Sequence, residues 1–182
     1  SWRRNLVAHD KERVIVKSPM LSGQAPHLLQ RYPGAKLIYL VRDPLETIPS
    51  GMSLLTGVLS QSYDVWGSTS EPSRARYLEN LYQASCDMYR SFHQLLEQGK
   101  LAPEDVLVVP YPALINDLDG TMRRISDFCE LDPAPAFWER LAEQAEKQKS
   151  RKSSHKYSLE KFGLTEERIR EDLAFVYDNY KV

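Results

Sequence analysis

The chain has 182 residues, a formal net charge of −1, 42% hydrophobic and 27% charged residues. It is long enough for one domain with a real core, and it has no bulk charge to draw nucleic acid or an anionic membrane. Two cysteines, Cys86 and Cys129, are too few for a disulfide framework, and no apolar run approaches the roughly 20 residues that span a bilayer.

Residues 1–13 are polar and charged and read as a helix end or a linker, without the pattern of a secretory signal. Val14-Ile15-Val16 is a short apolar run closed by Lys17-Ser18-Pro19, which predicts a strand ending in a cation and a hydroxyl. The stretch 21–34 has room for a crossover helix. Pro26 suits its first turn, Leu28, Leu29 and Tyr32 form an apolar face, and Pro33-Gly34 closes it. Leu37 to Val41 is an aliphatic run without alternation, as in a buried parallel strand. The three pieces make a β–α–β unit of about thirty residues.

Arg42-Asp43-Pro44 ends that second strand abruptly. Asp43 is a good helix N-cap and Pro44 fits the first helical position. Arg42 therefore stands at the carboxyl edge of a parallel sheet, where ligands bind in open α/β folds. A helix N-terminus with free N–H groups, a guanidinium fork and the hydroxyl of Ser50 would form an anion cradle. Arg42-Asp43-Pro44 after a strand can equally be a structural ion pair with a helix cap, and the local pattern leaves both readings open.

Leu45, Ile48, Met52 and Leu55 give the following helix one apolar face, with Pro49 a kink or an irregular first turn. Residues 56–73, rich in Ser, Thr and Gly, predict a loop long enough to be a lid or an acceptor loop, with Tyr63 and Trp66 as aromatic anchors. From Arg74 to Gln98 a 3.6-residue period predicts a long core helix stopped by Gly99. Asp105 to Pro110 predicts a third strand, Met122, Ile125 and Phe128 an amphipathic helix, and Phe137 onward another. Residues 147–158 combine Lys, Arg and Ser with no acid. That composition suits a solvated segment, and it is also what a phosphate monoester recruits. Thr165 caps a terminal helix with Glu166 and Glu167 in its first turn.

Tyr32-Pro33-Gly34-Ala35-Lys36, Val41-Arg42-Asp43-Pro44 and Ser50, eight positions after Arg42, resemble the 3′-phosphate-binding segment of sulfotransferases. These enzymes use 3′-phosphoadenosine-5′-phosphosulfate (PAPS). Lys17-Ser18-Pro19 resembles the segment that precedes the family's crossover, and Ser154 through Leu164 resembles its late basic loop. The resemblance implies an α/β/α sandwich in three layers around a short parallel sheet of at least three strands, helix-rich and related to the phosphate-loop nucleotide fold. It implies PAPS as co-substrate, no metal, and a small-molecule or carbohydrate acceptor bearing a hydroxyl or amine. Arg42, Ser50, Lys152, Ser154 and Lys156 would bind the nucleotide, and Lys17 would assist the departing phosphate.

Two departures stand against the family pattern. Leu21 occupies about the place of the histidine that serves relatives as general base, which leaves His27 as the nearest substitute. No glycine-rich phosphate loop occurs, so the chain reads as one partial domain, the C-terminal portion of such an enzyme. The second reading is a non-catalytic nucleotide-binding or interaction module derived from one.

Overall fold

The computed structural model describes residues 2–10, 13–149 and 158–182. Helix α1 (Trp2–Ala8) is followed by an irregular stretch, a 3-10 turn over Pro19–Gln24 and α2 (Ala25–Arg31). Strand β1 (Leu37–Val41) leads through Asp43 into α3 (Pro44–Tyr63). The short α4 (Val65–Ser68) and the long α5 (Glu71–Glu97) return the chain to β2 (Val106–Pro110). Helices α6 (Tyr111–Asn116), α7 (Leu118–Phe128) and α8 (Pro135–Lys149) come next. The chain closes with α9 (Glu166–Asp172) and α10 (Ala174–Asn179).

This is a helix-rich α/β arrangement around a short parallel sheet, as expected. The two strands run in register from Leu37 opposite Val106 to Val41 opposite Pro110. Residues alternate across a strand, so Leu37, Tyr39 and Val41 share one face. That face packs on α5: the Tyr39 ring stacks on Phe92 with centroids 3.7 Å apart. Val41 then joins Ile48 and Met52 of α3, Tyr82, Cys86 and Tyr89 of α5, and Ile169, Leu173 and Val176 of the C-terminal helices in one core. The opposite face of β1 is less covered, with Ile38 37% and Leu40 48% exposed.

The C-terminal helices are clamped to α5. Thr165 caps α9 by accepting from the Arg168 N–H at 3.2 Å. Tyr82 Oη donates to Asp172 Oδ2 at 2.7 Å, and Arg168 reaches Glu79 at 2.6 Å while lying over the Tyr82 ring. The bond from Arg168 holds the Glu79 carboxyl below its ordinary range. Leu173 and Val176 are fully buried and share one core cluster with Ile48 and Met52 of α3.

Three expectations are corrected. Val14-Ile15-Val16 is not a strand: the segment is irregular and Ile15 is 92% exposed. Its β-branched residues have the propensity, but no described strand lies beside them to supply a ladder, and β propensity expresses pairing and packing. The described sheet therefore has two strands, not three. Residues 56–73 are not a long loop: α3 continues to Tyr63 and α5 starts at Glu71, with Asp64 (φ 47°) turning the chain into α4. Thr56 fits inside α3 because its hydroxyl donates to the Met52 carbonyl at 2.8 Å, the usual way a buried helical hydroxyl is satisfied. Tyr32 does not belong to the apolar face of α2: it follows the last helical residue and is 45% exposed.

The core carries a pH limit. Burial pushes the phenol of Tyr89 up to about 12, and burial likewise raises Tyr39, Tyr82, Tyr177 and Tyr180. A raised pKa means that the folded state holds the proton more tightly than the unfolded chain. The stability from these phenols is complete below the ordinary value of about 10 and is lost as the pH climbs beyond it. Tyrosinate absorbance should therefore rise in two waves, the second coinciding with loss of the helical circular dichroism. A single reversible wave with the helices intact would contradict this packing.

Candidate functional site

The site is built where β1 hands over to α3. The Arg42 carbonyl accepts from Tyr89 Oη at 3.0 Å, which ties the strand end to α5. Asp43 is the expected N-cap: its Oδ1 accepts from the Leu45 N–H at 2.9 Å. The same oxygen accepts from Tyr177 Oη at 2.8 Å, so α10 supports the cap from across the chain. The N–H groups of Glu46 and Thr47 both bond to the Asp43 carbonyl at 3.0 Å. Pro44 brings no N–H. The first turn of α3 therefore has its donors satisfied internally. The expected free N–H groups are absent from the cradle because Asp43, through side chain and carbonyl, takes them.

What remains for an anion is carried by side chains. Arg42 Nε and Nη2 each lie 2.7 Å from Oε2 of Glu46, one turn into α3. A guanidinium has five N–H donors, so three stay available. The Arg42 Cζ lies 4.5 Å from the Tyr111 ring centroid. That stack follows from the sheet: Val41 pairs with Pro110, so the next residues, Arg42 and Tyr111, leave the ladder side by side. The Arg42 side chain is 42% exposed, half sheltered by the ring and half open to water. Ser50 follows Glu46 by four positions on the same helix and so shares its face. It is half-buried, and its hydroxyl has no partner among the described residues. Arg42, Glu46 and Ser50 thus form one row along the start of α3, with Tyr111 beneath the first of them.

The other sequence candidates are not gathered here. Lys17 and Ser18 lie in the exposed stretch before the 3-10 turn, and no hydrogen bond or ion pair joins Lys17 to the Arg42 row among the described residues. The turn itself packs on α5, where Gly23 approaches Ser91. One helix therefore supports both segments. His27 is exposed on α2 and lines a shallow open groove with Leu21, Gln24, Leu28, Arg31 and Tyr32. That groove contains neither Arg42 nor Ser50. Lys152, Ser154 and Lys156, with His155, lie outside the described residues, as does most of the basic stretch 147–158.

Four residues of the site were not singled out from the sequence. Glu46 was within reach of such a reading, since an acid four positions after an arginine is a standard ion-pair spacing. Tyr89 looked like one more tyrosine in a packing stripe. Tyr111 and Tyr177 come from distant parts of the chain, and only the strand register and the clamp on α9 bring them in.

The sequence model of the sulfotransferase family matches residues 2–135 of this chain. The omega-hydroxy-beta-dihydromenaquinone-9 sulfotransferases of Mycobacterium bovis and Mycobacterium tuberculosis are each 25% identical to it over 190 aligned positions, covering 98% of this chain and 47% of theirs. The chain thus spans about half the length of the curated relatives it matches. Among solved structures, a sulfotransferase domain from the curacin biosynthetic pathway aligns with a TM-score of 0.42 and 19% identity, covering 87% of this chain and 61% of that one.

Proposed function

The chain belongs to the sulfotransferase family, and on that premise we propose that it takes part in moving a sulfuryl group from PAPS to the hydroxyl or amine of a small acceptor. The observation that carries this reading is the row at the start of α3: a stacked guanidinium with open donors and, two turns along, a serine hydroxyl without a partner among the described residues.

In this reading Arg42 and Ser50 grip the 3′-phosphate of the nucleotide. The guanidinium fork matches two phosphate oxygens, and the hydroxyl donates to a third. Tyr111 keeps the guanidinium plane from turning, and Tyr89 fixes the backbone that carries it. PAPS supplies the activated sulfuryl group: its sulfur–oxygen bond breaks as the acceptor oxygen or nitrogen bonds to sulfur. Lys17 would place positive charge beside the departing phosphate oxygen, and such stabilisation acts where charge develops. The acceptor must also lose a proton. His27 is the candidate for that step, with Leu21 standing at about the place where the resemblance puts the family's base. Lys152, Ser154 and Lys156 would add donors to the nucleotide. The mycobacterial relatives are named for a hydroxylated menaquinone, and a hydroxyl on an apolar small molecule is the acceptor class we propose here.

The second reading, a nucleotide-binding module without transfer activity, is favoured by Leu21 and by a groove at His27 that neither Arg42 nor Ser50 lines. One pair of measurements separates the two. Titration with adenosine 3′,5′-bisphosphate, with 5′-AMP as the control, tests the cradle. Transfer of labelled sulfate from PAPS to hydroxylated acceptors tests the chemistry. The enzyme reading expects a clear preference for the bisphosphate together with transfer. Preference without transfer supports the module, and equal weak binding of both nucleotides removes the cradle.

A further inference from the structure

We propose that Glu46 is a built-in competitor for the anion site, a specificity gate that holds Arg42 until a doubly charged phosphate displaces it; this rests on the reading of Arg42 as the phosphate ligand. Both donors that Arg42 turns toward α3, Nε and one Nη2 N–H, converge on a single oxygen of Glu46 at 2.7 Å. The carboxylate stands in for the anion: one negatively charged oxygen accepting from the fork.

The contact is made to be broken. Both side chains reach water, Arg42 at 42% and Glu46 at 57% exposure. Exposed pairs of this kind are weak, because solvent competes and two long side chains must be held. Glu46 is an exposed helical side chain that no second described group holds, so it can swing away along α3. Arg42 cannot follow freely, because Tyr111 keeps its plane from below and the Tyr89 bond fixes its backbone. Removal of the carboxylate leaves the guanidinium in place with all five donors open.

The arrangement discriminates by charge. A monoanion such as chloride gains from Arg42 about what Glu46 already supplies, so it has little to offer in exchange. A phosphate monoester carries nearly two charges near neutral pH and several acceptor oxygens. It can take the fork and the Ser50 hydroxyl together, which the carboxylate one turn below Ser50 does not. The gate therefore lowers affinity for every anion, and proportionally most for the singly charged ones.

The test is calorimetric titration of the chain with adenosine 3′,5′-bisphosphate at low and at physiological chloride, comparing the unaltered protein, Glu46→Gln and Arg42→Ala. The gate predicts that Glu46→Gln binds the bisphosphate about fivefold more tightly at low chloride, the scale set by an exposed ion pair. It also predicts that chloride then weakens binding more steeply than in the unaltered protein. In the free protein the Arg42 Nε–H proton should give a nuclear magnetic resonance signal shifted by its charged partner, and Glu46→Gln should move it. Binding that Arg42→Ala weakens but Glu46→Gln leaves unchanged overturns the gate and leaves the site standing. The absence of a shifted Nε–H signal in the unaltered protein overturns the gate as well. No bisphosphate binding by either the unaltered protein or Glu46→Gln overturns the site itself, and the gate with it.

Discussion

Replacing Arg42 with alanine should weaken binding of adenosine 3′,5′-bisphosphate by roughly 10- to 100-fold while leaving the melting temperature nearly unchanged. Hydrogen bonds to a charged partner contribute about 1.5–3 kcal/mol, and Arg42 is half exposed, which places the effect at the lower end of what a buried ligand would lose. The stability is spared because its ion pair with Glu46 is exposed and worth at most about 1 kcal/mol. Arg42→Lys makes the sharper comparison. Lysine keeps the charge but loses the planar fork and the stack on Tyr111, so it should recover only part of the affinity. Isothermal titration of the three proteins decides the matter: equal affinities would place the phosphate elsewhere.

Phe92→Ala should cost about 3–5 kcal/mol of stability in denaturant unfolding. Phe92 is 2% exposed and stacks on Tyr39 with an interplanar angle of 16°. Its removal opens a cavity under β1, and β1 is the element that delivers Arg42. Phe92→Leu fills most of that space and should cost clearly less, on the order of 1.5 kcal/mol. If Phe92→Ala unfolds within about 1 kcal/mol of the unaltered chain, then α5 does not support the sheet as described. The two substitutions also separate support from contact. Phe92→Ala should lower affinity through a loosened strand, whereas Arg42→Ala lowers it with the fold intact.

How far the sequence could be read depended on how local each feature is. β1, the Asp43 cap and the Thr165 cap lie in consecutive residues, and the structure has all three. The apolar period of α5 is a property of one helix and was legible for the same reason. The stretch 56–73 was misread because Ser, Thr and Gly are frequent in loops. Inside α3 the exposed hydroxyls face water, and Thr56 bonds its own helix. Val14-Ile15-Val16 shows the opposite error, since strand-forming residues make no strand where nothing described pairs with them. In the candidate site, Arg42 and Ser50 were singled out from the strand-end pattern and the family resemblance, and they stand in one row with Glu46. The ring under Arg42 was not, because Tyr111 lies 69 positions further along, and the pairing of Val41 with Pro110 is needed to bring it there.

The parallel register has a consequence for the order in which the molecule assembles. Leu37 and Val106 are 69 positions apart, and the ladder between them cannot start until that loop has closed. For a flexible loop of this length the closure entropy is about 4 kcal/mol, spent before any strand hydrogen bond returns it. Contacts between neighbours in sequence carry no such delay, so α3 and α5 can form and meet while the strands are still apart. Their packing then shortens the gap that β1 and β2 must cross. The stack of Arg42 on Tyr111 depends on the finished register, and the bond from Tyr177 to Asp43 closes a still longer loop. The corner proposed to hold the anion is thus expected to form late, and local opening of the β1–β2 pair would dissolve it while the helical core endures.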